Sequence, residues 1–306
     1  MNPLRRGANG RLQSRKGAAS APAPLDALAR TPAAGDYAEF LRITLPRQEK
    51  NVASHRFGSE RVWLKKAGPR HGKWGYRVMA AVARMAGLDI IKPVPNPGGE
   101  AAIATEARRL KTLAAAGLRV PAVLAQQADG LLISDLGESG RATVVLQERL
   151  DQAAAAGPAA LLAVWREGLA AIAAVHVCGQ HLSQAFDRNL VQCPDGVIGY
   201  IDFEDDPAEV MTLAECQARD WLSYLHSTAM MLEAAAPQAA GQHWHAALAG
   251  VSAEVRERIT NTARRMKWAQ KLPASRRWGR DTQRVRAVAR LLGRWHLSSA
   301  PPALPN

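Results

Sequence analysis

Asn189 and Asp202 are the residues whose types and spacing point most directly to chemistry. They bracket two short apolar runs, Leu190-Val191 and 197–201, joined by the turn signal Pro194-Asp195-Gly196. Two strands linked by such a turn form a hairpin. The hairpin predicts that Asn189 and Asp202 come to the same end, side by side. An amide oxygen beside a carboxylate is a hard oxygen pair suited to Mg²⁺, which itself prefers to bridge phosphates. Glu204, Asp205 and Asp206 follow closely. They would bind a second ion or cap the next helix, and capping is the simpler reading because acids are favoured at helix N-termini.

Chemistry on a metal-bound phosphate needs more than two metal ligands. Phosphoryl transfer spreads charge over the transferred oxygens, so it also needs a cation on the phosphates and an anion holding that cation. The run Val62-Trp63-Leu64-Lys65-Lys66 after Gly58 reads as a strand, since Val and Trp favour strands. It offers Lys65 and Lys66 as cations. The segment 100–116 is a helix by the recurrence of Ile103, Ala107, Leu110 and Ala114, closed by Gly117. It offers Glu106 and Glu100 as anions, and the place of Glu106 on the periodic face favours it. No Ser-His-Asp or zinc pattern stands out, and His243 and His245 flank Trp244 at i,i+2, which is not helical ligand spacing.

The supporting elements come in a definite order. Residues 1–34, rich in Gly, Ala, Ser, Pro and Arg, are expected to be a disordered basic arm. Residues 37–41 start a helix or a strand. Residues 73–88 form an amphipathic helix with Lys73, Arg77 and Arg84 opposite Val78, Met79, Val82 and Met85, either interfacial or an ordinary surface helix. A hairpin turns at Asp129-Gly130 and ends on Ser134-Asp135-Leu136-Gly137. Residues 143–176 read as helical with a break at Gly157-Pro158, and 215–232 and most of the remainder as helical. The fold class expected is α+β in two lobes: 35–137 as an antiparallel sheet plus one helix, with 73–88 inserted, and 138–297 as a helical lobe holding the hairpin. Residues 298–306 form a tail.

The chain has 306 residues, 47% of them hydrophobic, a formal net charge of +13 and a pI near 10.3. That length supports a sizeable core. The charge suits a polyanionic partner, nucleic acid or an anionic membrane face, or reflects arginine-rich surfaces. No run of about eighteen apolar residues is apparent, so no membrane-spanning helix is expected. The N-terminal arginines precede no apolar core of a signal peptide. Cys178, Cys193 and Cys216 show no ligand spacing and suit a reducing cytosol. Basic residues interleaved with Trp268, Trp278 and Trp295 would allow RNA to stack, with helical core tryptophans as the favoured reading.

In this order the motifs resemble the protein-kinase-like fold. They are closest to its small bacterial branch: the lipopolysaccharide Kdo and heptose kinases, the small kinase of the KEOPS complex and the aminoglycoside phosphotransferases. The resemblance covers roughly residues 52–232. Val62-Trp63-Leu64-Lys65 resembles the Val-Ala-Ile-Lys strand, which selects Lys65 over Lys66. TEARRLKTLAAAGLRVP, beginning at Thr105, resembles the branch's glutamate helix and its exit. LLISDLG resembles the hinge strand, which implies that Asp135 and Leu136 contact a nucleotide. His176-Val177-Cys178-Gly179 resembles the entry to the catalytic loop, Asp202-Phe203-Glu204 the Asp-Phe-Gly motif, and RDWLSYLHS, with Asp220, the helix that supports the loop.

The resemblance implies ATP and Mg²⁺ as cofactors, Lys65 and Glu106 at the phosphates, and Asn189 and Asp202 at the metal. It departs in two places. Only Phe57-Gly58-Ser59 stands where a glycine-rich loop would be. Counting H-x-D-x-x-x-x-N back from Asn189 puts Gln184 at the catalytic aspartate and Leu182 at the histidine. Gln184 can orient a hydroxyl but takes no proton at neutral pH. Asp187 is the candidate substitute base, and His181 a further one more simply read as loop packing. The implied function is transfer of phosphate to a sugar or lipid-linked hydroxyl in the cytoplasm, at the inner membrane face if peripheral. The alternative is a nucleotide-binding scaffold docking on membrane or RNA.

Overall fold

The computed structural model describes residues 34–68, 98–138 and 140–298. The predicted helix 73–88, residues 1–33 of the predicted arm and the tail beyond 298 lie outside them. The chain is an α+β protein with a small antiparallel sheet and mostly helical content.

Helix α1 (Ala34–Thr44) resolves the open reading of residues 37–41. Tyr37 and Leu41 fall one turn apart and, with Leu45 one turn further on, are buried against Val62, Leu64 and Leu132. Beneath it lies a sheet of order β1-β2-β4-β3, built from Val52–Phe57, Glu60–Lys66, Gly130–Ser134 and Val123–Gln127, antiparallel throughout. The β1–β2 turn has Gly58 at φ 59°, a conformation glycine adopts without a Cβ penalty. Alternation along β2 sends Val62 and Leu64 into the α1 cluster and Trp63 toward the main core. Lys65 shares the face of Trp63, while Lys66 reaches the Gln48 carbonyl at 3.4 Å.

Helix α2 (Gly99–Ala115) buries Ile103, Ala107, Leu110 and Leu113, so the inward stripe runs through Leu113 and the predicted Ala114 is exposed. A second sheet, β5-β6-β7 (Val144–Val145, Leu190–Gln192, Ile198–Tyr200), contains the predicted hairpin. Helices α3 (Leu146–Ala156), α4 (Pro158–Val177), α5 (Leu213–Ala235), α6 (Pro237–Ala249), α7 (Ala253–Arg265) and α8 (Arg280–Ser298) build the rest. Helix α5 starts at Leu213 because Thr212 and Glu215 make a reciprocal capping box.

The structure bears on two further expectations. Helix α4 is long and apolar enough, by length and composition, to cross a membrane, with a mean hydropathy of 1.5. Arg166 and Glu167 interrupt its apolar run in sequence. Leu161, Trp165, Ile172 and Val175 on one face are fully buried in the main core, while Ala163, Arg166, Ala170 and Ala174 on the opposite face are exposed. Among the three tryptophans, Trp295 is a core residue, but Trp268 is 52% and Trp278 64% exposed.

Gly168 on α4 faces α5 where Tyr224 stacks on Trp165 and donates to the Trp165 carbonyl at 3.0 Å. A Cβ at Gly168 would meet the Tyr224 hydroxyl at 2.1 Å. That ring is fully buried and cannot yield. Gly168→Ala should therefore destabilise the protein by about 1–3 kcal/mol despite the better helix propensity of alanine. Urea unfolding measures this, and unchanged stability would contradict the packing described.

Candidate functional site

A cleft of about 360 Å³ lies between β2, β4, α2 and the hairpin. Ile133, Leu136, Val191 and Ile201 contribute apolar walls, and Lys65, Glu106, Asn189 and Asp202 line the same cleft. Its polar parts come from elements whose positions follow from local sequence. Strand alternation aims Lys65 at α2, and helical periodicity buries Glu106 at 1% exposure among Ile103, Ala107 and Leu110. The two meet in a bidentate pair, Nζ to Oε1 at 2.7 Å and to Oε2 at 2.8 Å.

Hairpin register supplies the other two residues. Leu190 pairs with Tyr200, and the Ile201 amide donates to the Asn189 carbonyl at 3.0 Å. Asn189 and Asp202 are thereby brought to one end, as the turn signal predicts. Asn189 Nδ2 donates to the Gln184 carbonyl at 3.0 Å, which leaves Oδ1 as its acceptor. Asp202 has φ 73°, the left-handed region, and it is the sole non-glycine residue there among those described. Such strain, where the surroundings enforce it, tends to mark functional positions.

The charges are unbalanced. Lys65 faces Glu106 and also lies 3.7 Å from both Asp202 Oδ1 and Glu204 Oε1. Burial works to lower the Lys65 ammonium, but Glu106 and Asp202 outweigh it and hold it above its ordinary value. Burial likewise pushes the Glu106 carboxyl up, opposed by its contact with Lys65. Within 4 Å of the Lys65 ammonium three carboxylates surround one cation, a local excess of negative charge, and Asp202 and Asn189 line the same cleft. That fits a divalent cation. No group of three or more His, Cys, Asp or Glu side chains is arranged to hold a metal among the described residues. A Mg²⁺ ion that takes its other ligands from phosphate and water needs no such group.

Helix α2 is tied to the loop after α4. Arg109 Nη2 donates to the His181 carbonyl at 2.6 Å, and Arg108 reaches Asp206 at 3.3 Å. His181 is a buried packing residue whose imidazole is pushed below its ordinary value by burial and by Arg109. Asp220, fully buried on α5, accepts from the Leu182 amide at 2.7 Å and contacts His176 Nε2 at 3.0 Å. These bonds fix the loop that carries Gln184 and Asn189.

Gln184 does not itself line the cleft, and neither does Asp187. Asp187 is buried, accepts from the Arg188 amide at 2.9 Å and is pushed up by burial. Gln184 Nε2 donates to Asp205 Oδ2 at 3.0 Å, and Ser183 Oγ donates to the Asp205 carbonyl. Asp205 is 6% exposed, its carboxyl raised by burial and lowered in part by Gln184. Of the acids after Asp202, only Asp206 caps, accepting from the Ala208 amide at 3.2 Å. Asp135 accepts from Trp63 Nε1 at 2.9 Å, and both line the cleft with Leu136. Arg188, stacked over Phe186 at 4.4 Å, lines it too. Sequence reasoning did not single out Arg188 or the Gln184–Asp205 bond; the proximity of Arg188 to Asn189 was the available signal.

No protein-family model matches the chain, and no curated protein matches it.

Proposed function

We propose that the chain is an ATP- and Mg²⁺-dependent phosphotransferase acting on a hydroxyl, on a two-lobed protein-kinase-like fold. The observation that carries this reading is Lys65, held bidentately by Glu106, in one cleft with Asn189 and Asp202. Bound ATP and Mg²⁺ would supply the transferable phosphoryl group and neutralise charge on it. Lys65 would offset phosphate charge, with Glu106 fixing its ammonium. Asn189 Oδ1 and Asp202 would hold the metal. Trp63, Ile133 and Leu136 offer an apolar slot for a purine, beside the Asp135 segment.

Gln184 gives the reading its particular character. A carboxylate only accepts, so Asp205 fixes the Gln184 amide with Nε2 turned to it and Oε1 left for a substrate hydroxyl. Gln184 would orient the nucleophile and take no proton, forgoing the ~10²–10⁴-fold of a general base. A loose transition state makes that loss tolerable. The net charge of +13 favours an acceptor at an anionic surface, such as a lipopolysaccharide-core sugar at the cytoplasmic face of the inner membrane. The same Gln184 favours a second reading, a nucleotide-binding scaffold that does not turn ATP over.

Turnover and thermal shift together separate the two readings. The enzyme consumes ATP with a sugar or lipid-linked acceptor and melts higher with ATP and Mg²⁺; the scaffold shows the shift alone. Absence of any shift would sink both. Gln184→Asp by itself sets a second carboxylate, on a side chain one methylene shorter, toward Asp205, which disfavours ionisation of both. Adding Asp205→Asn to Gln184→Asp removes that like-charge opposition and leaves an amide donor facing the new carboxylate. It should raise turnover about tenfold or more above Gln184→Asp alone.

A further inference from the structure

The segment from Arg264 to Arg280 is absorbed by nothing described so far. It holds seven basic residues and no acid. Part of it, the 3-10 helix Met266–Lys271, faces α8 across a hollow of about 500 Å³. Arg264, Lys267, Arg290 and Arg294 line that hollow with Gln270, and no acid lines it. It shares no lining residue with the cleft that holds Lys65. Arg290 is paired with Glu233 at 2.5 Å, so its charge is partly offset. Arg264 and Lys267 are exposed, and no acid pairs with either among the described residues.

Two exposed tryptophans stand outside the hollow, on the same basic segment. Trp268 follows Lys267 in the 3-10 helix, and Trp278 ends the turn that leads into α8. At 52% and 64% exposure they leave most of each ring available. Ten residues of α8 separate Arg280, beside Trp278, from Arg290 in the hollow, about 15 Å of helix. A compact phosphate compound would not reach from one to the other; an extended polyanion would.

We propose that this surface binds single-stranded nucleic acid, with phosphates in the hollow beside Arg264 and Lys267 and bases stacked on Trp268 and Trp278. Cationic grooves that track a backbone and aromatic side chains that stack bases are the two components of sequence-tolerant strand binding. A lipid surface is the competing partner, and the patch lacks what it requires. An interfacial face carries aliphatic side chains that enter the acyl region. Between residues 251 and 298 the two tryptophans are the only exposed large hydrophobics among the described residues. The exposed residues around them include Lys267, Lys271, Ser275 and Arg277, and the exposed apolar ones between them, Pro273 and Ala274, are small.

The test uses the full chain and a fluorescein-labelled oligouridylate long enough for a footprint of ~16 nucleotides, read by anisotropy over a salt series. The proposal expects binding that weakens steeply with salt. Arg264→Gln with Lys267→Gln should make the log–log salt slope shallower by about 1.4, two contacts at ~0.7 each. Trp268→Ala with Trp278→Ala should weaken binding at least about tenfold and leave that slope unchanged. The four side chains are exposed, and melting temperatures check that the variants fold. On the unaltered protein, the oligonucleotide should protect Lys267 and Lys271 from amine-reactive labelling, which needs no variant. Absence of binding, variants that bind as the parent does, or no protection would each overturn the proposal. So would equal competition by tripolyphosphate, which would mark a small-anion site. Tighter binding to phosphatidylcholine–phosphatidylglycerol vesicles than to the strand, lost in the same variants, would assign the surface to a bilayer instead.

Discussion

Asp202→Asn is expected to cut ATP turnover by about 10³-fold or more while leaving the fold as stable as before, or more so. The two halves have separate causes. If Asp202 holds the metal, losing its charge removes several kcal/mol of transition-state stabilisation. The fold responds to the excess of acid instead. Lys65 serves Glu106 at 2.7 Å and stands 3.7 Å from Asp202 and Glu204, so removing one carboxylate relieves repulsion among the rest. Asparagine is the right replacement because position 202 has φ 73°. Asn enters the left-handed region readily, whereas alanine there would cost about 1–2 kcal/mol and confuse the comparison. The measurement pairs steady-state turnover with urea unfolding, and adds melting with ATP in the presence and absence of Mg²⁺. The Mg²⁺-dependent part of the shift should disappear. Full turnover by a folded Asp202→Asn protein would remove Asp202 from the metal site.

How much of this was readable from the residues depended on whether the determining contact was local. The Asn189–Asp202 juxtaposition was legible because a turn signal and two apolar runs fix a hairpin register within a few residues. Lys65 was separated from Lys66 by the resemblance to the Val-Ala-Ile-Lys strand, since the two-residue period says only that the two face opposite ways, and Glu106 by the period of a helix. The Gln184–Asp205 and Arg109–His181 bonds were illegible. Each joins polar residues on segments without periodicity, and only the fold brings them together. Trp268 was misjudged for a different reason. Its segment is a 3-10 helix, in which residues three apart share a face. Met266 and Ala269 therefore turn inward, and Lys267 and Trp268 turn outward.

The buried pair itself should show an asymmetry that requires no assumption about activity. Lys65→Met leaves Glu106 at 1% exposure with no cation and with Asp202 and Glu204 near. Breaking a buried pair in this way costs about 3–5 kcal/mol, because an uncompensated charge remains. Glu106→Leu leaves Lys65 instead, and Lys65 keeps both Asp202 and Glu204 at 3.7 Å. That loss should be smaller, about 1–2 kcal/mol, since charge-assisted contacts survive. The double variant replaces both charges by apolar groups and should be closer to the parent than Lys65→Met is, because desolvation of two ions is no longer required. The order expected from urea unfolding is therefore parent, then the double variant and Glu106→Leu, with Lys65→Met least stable. The sign of the coupling carries the argument. If Lys65 and Glu106 merely shared a solvated surface, the two single losses would be small and additive. A Glu106→Leu loss as large as that of Lys65→Met would mean that Asp202 and Glu204 do not support Lys65. The charge imbalance on which the metal assignment rests would then be absent.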